Sequence, residues 1–385
     1  MANIENERYQ GFEQGPIRPP SEATSLLIRV TRNCPWNRCS FCPVYKGEKF
    51  SLRPVEHVIK DIDMVSKYVN EIVESSGSVH GSRSRLNRIA NEVPYNEVQA
   101  FQAALQWHRY GMESIFLQDA NSLILKPADL IDVLKHLKIV FPWVSRITSY
   151  ARSHTVARIS DDDLKLMAET GLNRIHIGME SGSDKVLAKV KKGVTKADHV
   201  SAGQKVKKAG IELSEYIMPG LGGEDLSKEH ALESADALNQ INPDFIRLRT
   251  LAIPNHVELF DDWSNGVFVK CSDLTVAREL RLFLEKIEGI DSYLASDHIL
   301  NLFEDVQGHF PEDKAKMLGI IDAFLDMPPQ DKMVYQIGRR IGLFHGIADM
   351  KNPGMRQQAE ELCTRFEVTP DTVDDAITEL MKRFI

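Results

Sequence analysis

Cysteine is scarce, with five residues in a chain of 385. That is too few for a disulfide scaffold and fits a reducing compartment, so a cytoplasmic location is expected. No stretch of about 18 apolar residues occurs, which excludes a helical membrane span. The opening MANIENERYQGFEQGPIRPP lacks the apolar core of a secretory signal, and residues 1–20 are expected to form an N-terminal extension. Positive charge is not in excess: 47 Lys and Arg stand against 55 Asp and Glu, a net charge of −8. A broad footprint for nucleic acid or anionic membrane is therefore absent, and neither partner is expected. No internal repeat stands out, and the one biased tract is the Ser/Arg-rich ESSGSVHGSRSRLNR. With 43% hydrophobic and 26% charged residues, the chain has enough apolar material to bury a large core without covalent staples.

What is present is a rhythm. TSLLIRVT (24–31) reads as a strand, and Val55, Val58, Ile59, Ile62 and Val65 then recur at helical spacing. Residues 74–96 read as an exposed insertion. A helix near 96–110 leads to the strand ESIFLQDANSL, which ends at Asp119–Asn121. Helices near 127–139, 160–170, 195–209 and 227–240 then alternate with the strands RITSYA (146–151), RIHIGME (174–180), ELSEYIMPG (212–220) and DFIRLRTLA (244–252). Six strands alternating with helices predict an α/β fold with a parallel sheet: a partial (β/α)6 TIM-like barrel first, a doubly wound sheet second. The barrel is expected over 21–255. A mostly helical C-terminal region is expected over 256–385, with helices near 273–289, 292–306, 312–326, 328–343 and 370–384.

The five cysteines are unevenly placed. TRNCPWNRCSFCPVYKG puts Cys34, Cys39 and Cys42 within one loop after the first strand, in the spacing C-x4-C-x2-C. Thiolates are soft ligands that suit zinc or iron–sulfur clusters. A structural zinc site closes its tetrahedron with four ligands, and no fourth stands nearby. Cys271 and Cys363 are distant and read as structural thiols; His57 lies in the first helix without a distinguishing feature. Three thiolates on a [4Fe–4S] cluster leave one iron open to a small molecule. The loop follows the carboxyl end of a parallel strand, where barrel active sites sit. A non-catalytic metal-binding scaffold is the alternative.

These residues resemble the radical S-adenosylmethionine (SAM) superfamily. The usual C-x3-C-x2-C motif is here one residue longer, and Phe41 supplies the aromatic before the last cysteine. The resemblance runs over about 24–255. It implies metal ligation by Cys34, Cys39 and Cys42, with a [4Fe–4S] cluster and SAM as cofactors. FLQDANSL stands where the family commonly carries a Gly-Gly-Glu-like segment, so Asp119 and Asn121 are expected to accept from the SAM ammonium. HIGMESGSDKVL implies SAM contacts from Glu180 and Ser181, with Ser183 a helix cap. YIMPGLGGE implies close backbone approach to adenine at Gly220, Gly222 and Gly223, and RLRTLAIPN implies an adenine contact at Leu251. Arg152 is the first choice for the SAM carboxylate, since Arg matches a carboxylate bidentately; Lys46 and Arg53 are the alternatives.

For the substrate, ASDHILNLFEDVQG (295–308) read as a helix places His298, Asn301 and Asp305 on one face. Tyr216 is a further pocket candidate, and His154 reads as structural. The function implied is reductive SAM cleavage to a 5′-deoxyadenosyl radical acting on a small or medium metabolite, with electrons from a donor such as flavodoxin or ferredoxin. Two alternatives keep the cluster and SAM. In one a nucleophilic substrate attacks a carbon of SAM without a radical. In the other the substrate is RNA, for which Arg83, Arg85 and Arg88 supply charge. No cobalamin-binding domain and no cysteine-rich tail for auxiliary clusters are read from the sequence.

Overall fold

The computed structural model describes residues 8–76 and 82–381. The chain packs as two compact units. The first comprises Met1–Asn37, Val44–Ile177 and Lys205–Glu212; the second comprises Arg38–Pro43, Gly178–Gln204 and Leu213–Ile385. These units do not follow the expected linear division at residue 255. Packing gathers strands and helices regardless of their order along the chain.

The fold is α/β, with a mostly parallel eight-stranded sheet. In the first unit β1 (Leu26–Arg29), β4 (Ser114–Gln118), β5 (Arg146–Ala151) and β6 (Leu172–Glu180, its last three residues counted in the second unit) follow one another in parallel. Two short strands, β2 (Thr31–Arg32) and β3 (Ser51–Leu52), make a separate antiparallel ladder in register Thr31↔Leu52. In the second unit β7 (Glu212–Ile217) pairs in parallel with β8 (Phe245–Leu248). β8 pairs in parallel with β9 (Tyr293–Ala295), and β9 pairs antiparallel with β10 (Gly308–His309). The six strands read from the sequence are β1 and β4 to β8.

The helices form for local reasons. Val55–Ser76 buries Val58, Ile62, Val65, Val69 and Ile72, a stripe at three- and four-residue spacing. Asp161–Glu169 starts at Ser160, whose hydroxyl accepts from the Asp163 N–H at 3.1 Å, and three aspartates in its first turn favour the positive end of the helix dipole. No helix among the described residues is long and apolar enough to cross a membrane.

The tract at 74–96 carries helix: Val55–Ser76 continues into it and Ser82–Glu92 is a further helix, with Leu86 and Ile89 half-buried and Arg88 exposed. The side chains of Arg83 and Arg85 lie outside the described residues. The segment 292–306 is not a helix. Residues Tyr293–Ala295 pair with β8 instead, and Ser292 donates its hydroxyl to the Pro243 carbonyl. Its apolar spacing fitted a helix, but the edge of β8 offered ladder hydrogen bonds, and tertiary pairing prevailed. The C-terminal region is thus helical with two added strands. It also includes the helix Pro353–Arg365, capped by the Asn352 side chain.

The N-terminal segment is not a free extension. Gly15 N–H donates to Gln118 Oε1 at 2.9 Å, and Gln118 Nε2 donates to the carbonyls of Gly15 and Ile17 at 3.2 and 2.5 Å. Phe12 is buried, and Glu22 accepts from the Ser25 hydroxyl at 2.6 Å. The segment is laid along the side chains of β4.

Candidate active site

In the first unit, the loop that carries Cys34 leaves β2 and returns through β3, so a short ladder clamps its two ends. Asp119, one residue past β4, ties that loop down. Its Oδ2 pairs with Arg29 Nη2 at 2.7 Å and accepts from Arg29 Nε at 2.9 Å and from the Asn33 N–H at 3.1 Å. Its Oδ1 accepts from the Tyr45 hydroxyl at 2.7 Å. Arg29 stands opposite Gln118 in the β1–β4 register, which delivers its guanidinium to the next residue. Asn37 closes the loop by donating to the carbonyls of Tyr45 and Glu48 at 2.5 and 3.2 Å. The Asp119 carboxylate is fully engaged within the protein, and Gly15 passes so close that a Cβ there would lie 2.3 Å from its Oδ1. The expected ammonium acceptor is a structural anchor for the cysteine loop.

Asn121 is also turned inward. It is buried, accepts from the Arg152 N–H at 2.9 Å and donates to the Thr155 hydroxyl at 2.9 Å. It fixes the turn after β5 and, through it, Arg152. The Arg152 guanidinium lies over the ring of Trp36, 5.3 Å from its centroid, in the cysteine loop. A half-buried cation is thereby held against that loop. Arg53 is not a second choice. It is buried and paired with Asp61 at 2.7 Å and Glu13 at 2.6 Å. Burial works against the charge of Glu13, yet Arg32, Arg53 and Arg29 hold its carboxyl below the usual range. Lys46 is half-buried and His154 exposed. His57 packs edge-on against Tyr9, 5.3 Å between ring centroids.

In the second unit, Glu180 ends β6 in a left-handed conformation, φ 64°, which turns the chain sharply out of the strand. Lys192 donates to its Oε1 at 2.9 Å, both side chains being largely buried. Gly178 makes this possible, because a Cβ there would stand 2.3 Å from Glu180 Oε1. The Lys192 ammonium also lies over the ring of Phe41, 5.9 Å from its centroid. The aromatic before the third cysteine and the Glu180–Lys192 pair therefore share one place. Beside them is Glu215 of β7, fully buried, with neither carboxyl oxygen hydrogen-bonded. Burial first, and then the charge of Glu180, push its carboxyl well above the usual range, against the pull of Lys192. Lys192 and Glu215 were missed in the sequence. The available signal was an acid between Leu213 and Ile217, on the same face of an apolar strand.

Ser181 has its hydroxyl committed internally: it accepts from the Ser183 N–H at 3.0 Å and meets His230 Nδ1 at 2.7 Å. Ser183 caps the helix Asp184–Lys189, accepting from the Val186 N–H. Gly220, at φ 85°, and Leu251 are bonded across their turns, Leu251 N–H to the Pro219 carbonyl at 3.0 Å. Both line a cavity of about 240 Å³ together with Thr250, Trp263, Lys270 and Asp273. Gly222 precedes the helix Gly223–Ile241, and Gly223 sits where a Cβ would meet the Val269 carbonyl oxygen at 2.9 Å. Gly220, one of the glycines expected to approach adenine, and Leu251, the expected adenine contact, share one hollow.

The substrate candidates are not gathered on one helix face. Asn301 is buried and structural: it accepts from Thr250 N–H and hydroxyl at 2.9 and 3.0 Å and donates to the Leu248 carbonyl at 2.9 Å. Asp305 is half-buried against Gly346, and burial raises its carboxyl above the usual range. His298 is half-buried, its pKa lowered to about 4 by burial and the nearby Arg249. Its Nδ1 accepts from the Leu300 N–H. Tyr216 is half-buried and stands in register with Arg247. Cys271 and Cys363 are buried thiols with raised pKa, burial being the main cause in each.

The donor set fits an iron–sulfur cluster. Cys34, Cys39 and Cys42 are free thiols on one loop. Among the described residues no three His, Cys, Asp or Glu side chains converge as a single-ion centre. A cubane is gripped at separate corners, so its thiolates need no common point.

Among curated relatives, the tRNA uridine(34) acetyltransferase of Methanocaldococcus infernus is 24% identical over 110 residues, 28% of this chain and 21% of that protein. The tRNA-2-methylthio-N(6)-dimethylallyladenosine synthase of Syntrophus aciditrophicus is 24% identical over 230 residues, 59% of this chain and 41% of that protein. The first of these matches thus spans about a fifth of its relative's length. Among solved structures, methylornithine synthase (PylB) aligns with a TM-score of 0.42 at 16% identity, covering 71% of this chain and 66% of that one. The sequence matches the Radical SAM superfamily over residues 28–235, more than half its length, and the chain belongs to that superfamily of [4Fe–4S]- and SAM-dependent enzymes.

Proposed function

We propose that this enzyme cleaves SAM reductively and uses the resulting 5′-deoxyadenosyl radical on a small or medium metabolite. The observation that carries the reading is the loop of three free cysteines, with Phe41 before the last of them, anchored by Asp119 after the neighbouring strand. When bound, the cluster supplies one electron to the SAM sulfonium, and the nucleoside radical so released takes a hydrogen atom from substrate. Cys34, Cys39 and Cys42 hold the cluster. Arg152, stacked on Trp36, meets the SAM carboxylate. Glu180 orients polar groups of SAM while Lys192 fixes its carboxylate. Gly220 and Leu251 offer backbone and an apolar wall to adenine. Glu215 stands buried beside this pair, its carboxyl raised above the usual range by burial and the charge of Glu180.

The test is anaerobic. Reconstituted protein is expected to bind about four irons per chain and, with reductant, to convert SAM into 5′-deoxyadenosine and methionine. Alanine at Cys34, Cys39 or Cys42 is expected to abolish both. Equal product formation without any electron source would show that SAM is attacked by a nucleophile instead.

A second reading has its own support. Both curated relatives described above are named for tRNA modification, so the expectation that nucleic acid is not a partner finds no support there. RNA as substrate predicts salt-sensitive tRNA binding. No retention of tRNA at low ionic strength removes that reading.

A further inference from the structure

The second unit contains a buried polar chain that joins the two turns assigned above to SAM. After β6, the Gly182 N–H donates to Ser234 Oγ at 2.9 Å, and Ser181 Oγ meets His230 Nδ1 at 2.7 Å. After β7, the carbonyl of Met218 lies 3.2 Å from His230 Nε2, and the Gly220 N–H donates to Glu279 Oε1 at 2.7 Å. The other Glu279 oxygen accepts from the Ser227 hydroxyl at 2.5 Å. A carbonyl only accepts, so His230 Nε2 carries the proton. Ser181 Oγ also accepts from the Ser183 N–H, and the imidazole bridges the two turns through both of its nitrogens. Glu279 grips the Met218–Gly220 turn from its other side.

Glu279 belongs to the helix Asp273–Lys286, beyond the residues matched by the superfamily. It is buried to 4% exposure, in a place where an unpaired carboxyl is costly. Burial raises its pKa, opposed by His230, Ser227 and the Gly220 N–H. A cheaper way to satisfy one backbone N–H would be water or a neutral side chain. The geometry instead brings an acid from the C-terminal region to the N–H of a residue at φ 85° that lines a cavity with Leu251.

We propose that Glu279 is a positioning residue of the nucleotide site: it holds the Gly220 turn in the shape that SAM requires, with His230 locking that turn to Ser181. This rests on the reading of Gly220 as a SAM contact. It makes the C-terminal region part of the cofactor site rather than a separate substrate cover.

The test measures SAM binding to the reconstituted enzyme without reductant, so that no turnover is needed. Iron content and amide exchange of the 216–226 segment are followed alongside. Glu279→Ala is expected to raise the Kd for SAM at least tenfold and speed exchange at Gly220, with iron content unchanged. Glu279→Gln keeps an acceptor for the Gly220 N–H and is expected to stay within threefold of the parent. Glu279→Asp keeps the charge but shortens the reach, and is expected to behave like alanine; it carries the test should the alanine variant not fold. Binding within twofold of the parent in Glu279→Ala or Glu279→Asp overturns the proposal, as does a glutamine variant as weak as alanine. A parent enzyme that binds no SAM is a different result, and overturns the function proposed above.

Discussion

Asp119 and Glu180 invite comparison. Each is an acid at the carboxyl end of a parallel strand, one in each compact unit, and each was expected to meet SAM. Asp119 is saturated from within by Arg29, Tyr45 and the Asn33 N–H. Glu180 is held, among the described residues, by Lys192 alone through one of its oxygens. The difference is a neighbour on the adjacent strand. β1 places Arg29 across from Gln118, so its guanidinium closes on Asp119. Next to Glu180 stands a second acid, Glu215, which repels rather than saturates it. An acidic strand end is open to a ligand only where the sheet leaves its oxygens without internal donors.

The sharpest way to break this comparison is Asp119→Ala. It leaves the Tyr45 hydroxyl without its partner and the largely buried Arg29 with only the longer pair to Glu13 at 3.4 Å. A loss of about 3 kcal/mol in chemical unfolding is expected, with poor iron loading, because a buried charge loses its nearest partner. A variant as stable as the parent would mean that Asp119 is no anchor.

Glu180→Gln is expected to do the reverse. Stability should change by less than about 1 kcal/mol, since Lys192 still has Glu215 beside it, while the Kd for SAM rises about tenfold. Equal damage to stability by the Asp119 and Glu180 variants would erase the distinction between anchor and ligand-facing acid.

Glu215 sharpens the comparison through pH. Its folded pKa is raised above the unfolded value, so the native state retains the proton longer. Stability should fall as pH rises from the ordinary carboxylate range toward that raised pKa. Glu215→Gln removes this loss, and its advantage over the parent should grow with pH from about 4.5 upward. A difference that stays flat across that window argues for an ionised Glu215.

The smallest effect is expected at His298, with pKa lowered to about 4. Its contribution is complete above its unfolded pKa and is lost as pH falls through the folded one. Titration of its ring by NMR should show a midpoint near 4; a midpoint near 6.5 would place the ring in open solvent.

Much of the fold was legible in the sequence. Residues 146–151 were read as a strand and form β5 as Arg146–Ala151, because RITSYA is bounded by turn residues on both sides. The failure at 292–306 has a tertiary cause: the segment was assigned from spacing, yet a partner strand settled it, β8 for Tyr293–Ala295. At the site, the three cysteines were legible because their chemistry is bound to their spacing. Lys192 and Glu279 were not, because nothing in their local sequence distinguishes them from solvated charges, and the acid on the apolar face of β7 does not tell what Glu215 meets.

Periodicity and motif spacing belong to the chain itself, so the residue order alone determined six alternating strands and helices and a three-thiol loop behind the first strand. Which acids are saturated by internal donors was decided only by tertiary structure. Register brings Arg29 to Asp119, and the helix Asp273–Lys286 brings Glu279 to Gly220. A carboxylate's role depends on how many donors surround it, and those donors come from residues remote in sequence.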